Sequence, residues 1–393
     1  MKQFLNETLH KLGTPAYVFD TDIFAERAEL VKKAFGNKVQ ICFSIKANPF
    51  VLADLPECFS KIEVCSPGEL TICEKLNADM DMVIFSGVNK TAEDVERAMQ
   101  DCVGTFTAES IMHVNLINNS AVNNGKCVPV LLRLTGGSQF GMDEDELLNI
   151  IKNRDSYKGI EIVGIHYFTG TQKRKPAAII KELDRVDAFV DMVKSDYDFE
   201  LKRVEYGTGL AVDYFKDNAD ELEEERLNGI AERIRELGEK VELTVEMGRF
   251  FAAPCGFYFT KVIDTKTCCG INYAIVDGGL NQLKYDGQIQ GMQIPAITHL
   301  SDDESNTDEQ AWTLCGSLCT TADVLAREVK LCGLKPDDTL VFHRTGAYSA
   351  MEGMAVFLSR EMPRIALYSK EKGLRIVRDF IYSDTMNTAN FDL

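Results

Sequence analysis

No stretch of this chain reaches the ~18–20 consecutive apolar residues that a membrane-spanning helix needs, so a membrane role is not expected. Positive charge is also short: 43 Lys and Arg stand against 61 Asp and Glu, a net charge of −18. Broad nucleic-acid binding and adsorption to anionic membranes both need basic faces, and the balance argues against them. The opening, MKQFLNETLHKLG, lacks the apolar centre of a secretory signal and reads as a short helix, which sets the expectation of a cytoplasmic protein. Zinc-type spacing is missing although 12 cysteines are present. Cys315 and Cys319 are four apart and Cys268 and Cys269 adjacent, neither matching paired ligands, so the cysteines read as free thiols and no metal is expected. There is no low-complexity linker; the acidic stretch SDDESNTDEQ reads as a solvated loop.

What is present is a regular alternation. With 393 residues, 45% of them hydrophobic, the chain can bury a sizeable core and form about two or three domains. From about residue 38 to 250, β-rich runs (VQICFSI, KIEVC, MDMVIFSG, GTFTAE, VPVLLRL, EIVGIHYF, RVEYG, ELTVEMG) alternate with helical patterns such as SPGELTICEKL, TAEDVERAMQ, DEDELLNIIKN and ADELEEERLNGIAERIRELGEK. Ser66 with Glu69 reads as a capping box, and Thr91 with Asp94 approximates one. Eight such repeats predict a closed parallel (β/α)8 barrel, with an open doubly wound sheet as the alternative. After about residue 254 the helices stop. GFYFTKVIDTKTCCGINYAIVDGG reads as two strands around a Cys-Gly turn, and DTLVFHR and RIVRDFIY follow as further strands. The expected division is a barrel over 26–253 and a mainly β domain from 1–25 and 254–393, with TPAYVFD as a strand that can join the latter.

In a β/α barrel the chemistry lies where strands end. The first barrel strand ends in FSIKANPF, with Lys46 just before Asn48-Pro49; that lysine either snorkels to water or is an amine held in a dry pocket, able to form a Schiff base. The sixth ends in HYFTGTQ, with His166, Phe168 and Thr171. The seventh ends in YGTGL and the eighth in EMGR. An amine, an aromatic face, a glycine turn, a carboxylate and an arginine suit an aromatic aldehyde phosphate. Lys46 would form the imine, and Phe168 would stack on the ring. Backbone N–H groups of Gly207, Thr208 and Gly209 would approach the phosphate, with Arg249 adding charge. Glu246 would hold a protonated ring nitrogen.

These segments resemble the barrel-type, fold type III pyridoxal-phosphate decarboxylases, the family of diaminopimelate, ornithine and arginine decarboxylases. The likeness runs over YVFD, FSIKANP, EVCSPGEL, GVNKTAED, FGMD, GIHYFTGTQ, YGTGL, EMGR, AIVDGGLN, CGSLCTTADVL and GAYSAM. It implies a pyridoxal-5'-phosphate-dependent carboxy-lyase with Lys46 as Schiff-base lysine and Glu246 as partner of the ring nitrogen. Cofactor contacts are implied for His166, Phe168, Thr171, Gly207, Thr208, Gly209, Gly248, Arg249 and Tyr348. It further implies a homodimer in which Cys319 of the second subunit protonates the quinonoid after CO2 leaves, with Asp323 in the same segment.

The departures from the family pattern bear on the substrate. Diaminopimelate decarboxylases usually read HFHIGSQ where this chain has HYFTGTQ; Phe168 keeps the stacking ring without an ionisable group, and His166 is equally readable as a satisfied interior histidine. Thr320 stands where an acid often meets a distal ammonium. In NQLKYDGQI, Tyr285 and Ile289 replace the Arg and Tyr that clamp a distal carboxylate, although Lys284 can compensate. Gln139 replaces a lysine. The basic run Lys173, Arg174, Lys175 reads either as a solvated loop or as an anion contact at the barrel entrance, and HYFTGT and CTTAD look more like the glutamyl-carrier decarboxylase branch. The expected activity is α-decarboxylation of an amino acid or a carrier-tethered aminoacyl conjugate. Diaminopimelate decarboxylation is an alternative, and an amino acid racemase or a non-catalytic regulator are others; the cysteine segment with GAY favours decarboxylation, and intact Lys46, Glu246 and Arg249 disfavour the regulator.

Overall fold

The computed structural model describes Leu5, Thr8 and residues 10–302 and 305–390. Of the N-terminal stretch read as a short helix, Leu5, Thr8 and residues 10–12 are helical; the rest lies outside the described residues. The chain divides into two compact units, one holding Ala25–Val212 and Asp220–Phe251, the other the chain up to Phe24, Asp213–Ala219 and everything from Ala252 on.

The first of these units is a closed barrel. Its strands are β2 (Gln40–Ser44), β3 (Lys61–Val64), β4 (Val83–Phe85), β5 (Thr105–Ala108), β6 (Val128–Leu134), β7 (Ile160–Tyr167), β8 (Arg203–Gly207) and β9 (Glu242–Met247), numbered after β1 (Ala16–Asp20) of the other unit. All pair in parallel, and β9 returns to β2. The strands are apolar nearly throughout because helices cover the outer face and side chains fill the inner one. The intervening helices are α2 (Pro67–Lys75), α3 (Ala92–Gln100), α4 (Ile111–Asn123), α5 (Glu144–Lys152), α6 (Pro176–Tyr197) and α7 (Ala219–Lys240), after α1 (Thr21–Phe35) has led into β2.

Two local details depart from the sequence reading. Between β2 and β3 there is no α-helix, only the 3-10 turns Ile45–Ala47 and Pro49–Asp54. Pro49 forces Asn48 to extended angles (φ −165°), which ends the first turn just after Lys46. The caps are also reversed in completeness. Thr91 and Asp94 form a full reciprocal box on α3, whereas on α2 the Ser66 hydroxyl accepts from the Glu69 amide but the Glu69 carboxylate reaches one residue further, to the Cys65 N–H at 2.7 Å.

The other unit is built on a sheet running β14 (Val324–Cys332), β13 (Glu309–Cys315), β11 (Ile271–Val276), β10 (Gly256–Cys268), β1, β16 (Arg364–Ser369), β17 (Gly373–Arg378). Along its side β15 (Thr339–His343) pairs with β10 and β12 (Ile297–Leu300) with β15. The TPAYVFD strand thus sits inside this sheet, antiparallel to β10 and parallel to β16. Cys269 (φ 53°) and Gly270 (φ 79°) both take left-handed angles, the two-residue turn that matches the twist of a hairpin. The acidic stretch is not wholly a loop, since Glu309 and Gln310 open β13 opposite Cys332 and Leu331. The core of the unit gathers Leu12, Ala16, Val18, Phe257, Phe259, Val341 and Ala366.

Candidate active site

Lys46 lies in the 3-10 turn that follows β2, at the end of the barrel where all eight strands terminate. It is not in an apolar pocket. Its side chain is 36% exposed and its Nζ is set among carboxylates, 2.5 Å from Glu63 Oε2 and 3.5 Å from Glu246 Oε1, with Cys65 Sγ at 3.4 Å. Register explains the convergence: Ser44 stands opposite Glu63 on β3, and Cys42 opposite Glu246 on β9. Ser44 Oγ donates to Glu246 Oε1 at 2.7 Å, and His166 Nε2 lies 3.1 Å from Glu246 Oε2. Of the two readings of His166 the structure gives a mixed one: the ring is buried and bonded to Glu246, while its Nδ1 has no hydrogen-bond partner.

The electrostatics separate two buried carboxyls. Burial raises the Glu246 pKa, but the Lys46 ammonium, the His166 contact and the Ser44 hydrogen bond more than offset it and hold Glu246 well below the usual carboxylate range. Glu205 on β8 is 1% exposed, and neither of its oxygens has a hydrogen-bond partner. Burial, then the charges of Glu246 and Glu63, push its pKa well above normal, which favours its neutral form. Burial likewise pushes the Cys65 thiol up. Glu63, Ser44, Cys65 and Glu205 were not singled out from sequence. The available signal was a glutamate inside an otherwise apolar barrel strand, in KIEVC and RVEYG.

The glycine turn after β8 is shaped by what packs on it. A Cβ at Gly207 would lie 2.5 Å from Phe168 Cδ2, so the Phe168 ring rests directly on the glycine backbone. Gly209 has φ 60°, and a Cβ there would meet Gly170 O at 1.9 Å. Thr208 is fully buried, its hydroxyl accepting from the Leu210 amide at 3.2 Å. The loops after β7 and β8 are stitched together: Lys173 N–H donates to Gly209 O at 2.8 Å, and Gln172 bonds both the N–H and the carbonyl of Val212. A Cβ at Gly248 would lie 2.8 Å from that of Ala47, so this glycine lets the end of β9 press against the Lys46 turn. Thr171 is exposed, and Arg249 opens the short helix α8 (Arg249–Ala252), half-buried.

The basic run at 173–175 is not a uniform solvated patch. Lys173 is 14% exposed and ion-paired to Glu182 at 2.6 Å, which leaves Arg174 and Lys175 as its exposed members.

The remaining predicted residues lie in the β unit, apart from Gln139 of the barrel. Cys319 is exposed and Thr320 half-buried. Asp323 is turned inward: it is 2% exposed and its oxygens accept from the amides of Leu280 and Leu318, both at 2.8 Å, so it braces the segment that carries Cys319. Nor is Tyr285 available to a substrate. It is buried in an aromatic cluster with Tyr214 and Phe215, and its hydroxyl donates to His343 O at 2.6 Å. Lys284 is ion-paired to Glu352 at 2.7 Å, while Ile289 and Gln139 are exposed. Tyr348 is half-buried with φ 65°, a conformation costly for an aromatic residue.

An aromatic aldehyde phosphate fits this barrel end. A protonated ring nitrogen needs a carboxylate that stays ionised while buried, and Glu246 is held in that state by its neighbours. An aldehyde needs an amine within reach of that carboxylate, which Lys46 supplies. A phosphate needs backbone approached without side chains, and Gly170 faces open space beside the Gly207–Gly209 turn.

Comparison with known proteins agrees. The family profile "Pyridoxal-dependent decarboxylase, pyridoxal binding domain" matches residues 21–253. The chain is 26% identical to the diaminopimelate decarboxylase of Zymomonas mobilis, over 97% of this chain and 94% of that one. It is 25% identical to the L-glutamyl-[BtrI acyl-carrier protein] decarboxylase of Niallia circulans, over 94% and 91%. The crystal structure of diaminopimelate decarboxylase from Methanocaldococcus jannaschii with L-lysine superposes with TM-score 0.82 at 24% identity, over 96% of this chain and 92% of that one, a likeness of fold. The chain belongs to the pyridoxal-dependent decarboxylase family, with the barrel and mainly β architecture expected from sequence. Its cofactor is pyridoxal phosphate, and it is a carboxy-lyase acting on an amino acid or aminoacyl substrate. Among the described residues no helix is long and apolar enough to cross a membrane.

Proposed function

We propose that this decarboxylase removes the α-carboxylate of an amino acid whose distal end is capped, as in an aminoacyl conjugate, working as a cytoplasmic homodimer. The observation that carries the site assignment is the Lys46–Glu246–His166 constellation at one barrel end. Lys46 Nζ would hold the cofactor through its aldehyde carbon, and Glu246 would keep a proton on the ring nitrogen. Phe168 would support one ring face, and Thr171, Gly207–Gly209 and Arg249 of the barrel would bind the phosphate. When bound, pyridoxal phosphate supplies the electron sink for the pair left at Cα as the carboxylate departs. Cys319 of a second copy delivers a proton to Cα; its exposure on the isolated chain is compatible with presentation to a partner.

The capped substrate is inferred from what is missing. Thr320 brings no charge for a distal ammonium, Tyr285 is consumed inside its unit, and Lys284 is already paired. The similarity to a decarboxylase of a carrier-bound glutamyl group supports a conjugate, although Lys173 of the basic run is already paired with Glu182. The test is CO2 release and product mass from cofactor-loaded protein. It would be offered meso-diaminopimelate, lysine, ornithine, arginine, glutamate, and glutamate joined through its side-chain carboxyl to a pantetheine thioester. Turnover of the conjugate alone is expected; strong turnover of free meso-diaminopimelate would instead assign the diaminopimelate reaction.

A further inference from the structure

One carboxylate outside the barrel interior gathers three donors from the loops that shape the cofactor end. Glu182 sits in the second turn of α6. Its Oε1 accepts from Thr169 Oγ1 at 2.6 Å, and its Oε2 accepts from Lys173 Nζ at 2.6 Å and Tyr206 OH at 2.7 Å. Thr169 directly follows Phe168, and Tyr206 directly precedes Gly207, the glycine on which Phe168 rests. Lys173 adds two further links: its Nζ lies 5.9 Å from the centre of the Phe168 ring, and its own N–H is bonded to Gly209 O. A single side chain thus fixes the residue after the aromatic ring, the residue before the glycine turn, and the lysine that stitches the two loops.

We propose that Glu182 is a positioning residue for the cofactor, setting the seat of the Phe168 ring and the height of the Gly207–Gly209 turn without touching either. The charge is required as well as the shape. Lys173 is largely buried, and Glu182 is its ion-pair partner; an uncharged replacement leaves an ammonium with one weakened acceptor. The Glu182→Gln change also replaces one acceptor oxygen with a donor, which opposes either the Thr169 hydroxyl or the Lys173 ammonium and the Tyr206 hydroxyl.

This inference rests on the reading that Phe168 and the glycine turn face the cofactor, and the experiment separates the two. Visible circular dichroism of bound cofactor and its release during dialysis are measured for wild type, Glu182→Gln, Tyr206→Phe and Phe168→Ala, with far-ultraviolet spectra to check folding. Glu182→Gln is expected to weaken cofactor retention about tenfold and to change the visible dichroism; Tyr206→Phe, which removes one bond and no charge, about threefold in the same direction. If Glu182→Gln does not fold, Tyr206→Phe decides alone. Wild-type retention and dichroism in the folded Glu182 and Tyr206 variants, with Phe168→Ala altered, would overturn the role of Glu182. No change in Phe168→Ala either would overturn the placement of the cofactor ring and this role with it.

Discussion

Two glutamates on neighbouring strands, Glu205 and Glu246, have their pKa values pushed in opposite directions by what surrounds them. The sign of each shift fixes a pH dependence. Because burial raises Glu205, its contribution to stability is complete below the ordinary glutamate pKa and is lost as pH rises through its folded value. Replacing it with glutamine removes that loss. Thermal melts of Glu205→Gln should exceed wild type by roughly 2 °C or more near pH 8, with the gap closing near pH 4. Glu246 is depressed, so its contribution is present above the ordinary carboxylate range and is lost as pH falls through its folded value. Glu246→Gln should therefore lower the melting temperature most near pH 8, and its turnover should fall on the order of a hundredfold, read as CO2 release. A uniform shift across pH in either variant would contradict the assigned protonation states. Lys46 and Glu246 were legible from sequence because each closes a strand in a recognisable motif. Glu63, Glu205 and Glu182 were not: their meaning depends on partners from other strands, or from a helix, that no local pattern pairs with them. Tyr285 and Asp323 stand at motif positions yet are buried and bonded within their own unit, which a motif position does not disclose.

At the scale of elements, backbone geometry carries the site. Gly209 needs a left-handed φ and stands against the Gly170 carbonyl, so Gly209→Ala should displace the turn and abolish cofactor retention in a protein that still folds. Normal retention would show that the turn does not hold the phosphate. The cap on α3 is a separate matter of stability: Thr91→Ala should cost about 1 kcal/mol in urea unfolding and leave retention unchanged. Most barrel strands were readable to within a residue or two because their apolar runs are short and bounded by turn signals; MDMVIFSG is the exception, since only Val83–Phe85 is strand and Met80–Met82 form a 3-10 turn. Harder to read were the connection after β2, where Pro49 substitutes 3-10 turns for a helix, and the start of β13, where Glu309 and Gln310 at the end of an acidic stretch look like loop.

At the scale of the whole molecule, the proposed division of labour places Lys46 on one chain and Cys319 on its partner. Mixing inactive Lys46→Ala with inactive Cys319→Ala should restore about a quarter of wild-type activity, because half the random dimers are mixed and each has one intact site. No recovery after subunit exchange would place both residues of a working site on one chain. The central claim concerns a single nitrogen. Reduction of the cofactor-loaded protein with borohydride, followed by peptide mass mapping, should find the phosphopyridoxyl group on Lys46, within FSIKANPF, and nowhere in Lys46→Ala. Labelling of Lys90 or Lys173 in the wild type, with Lys46 unmodified, would contradict it.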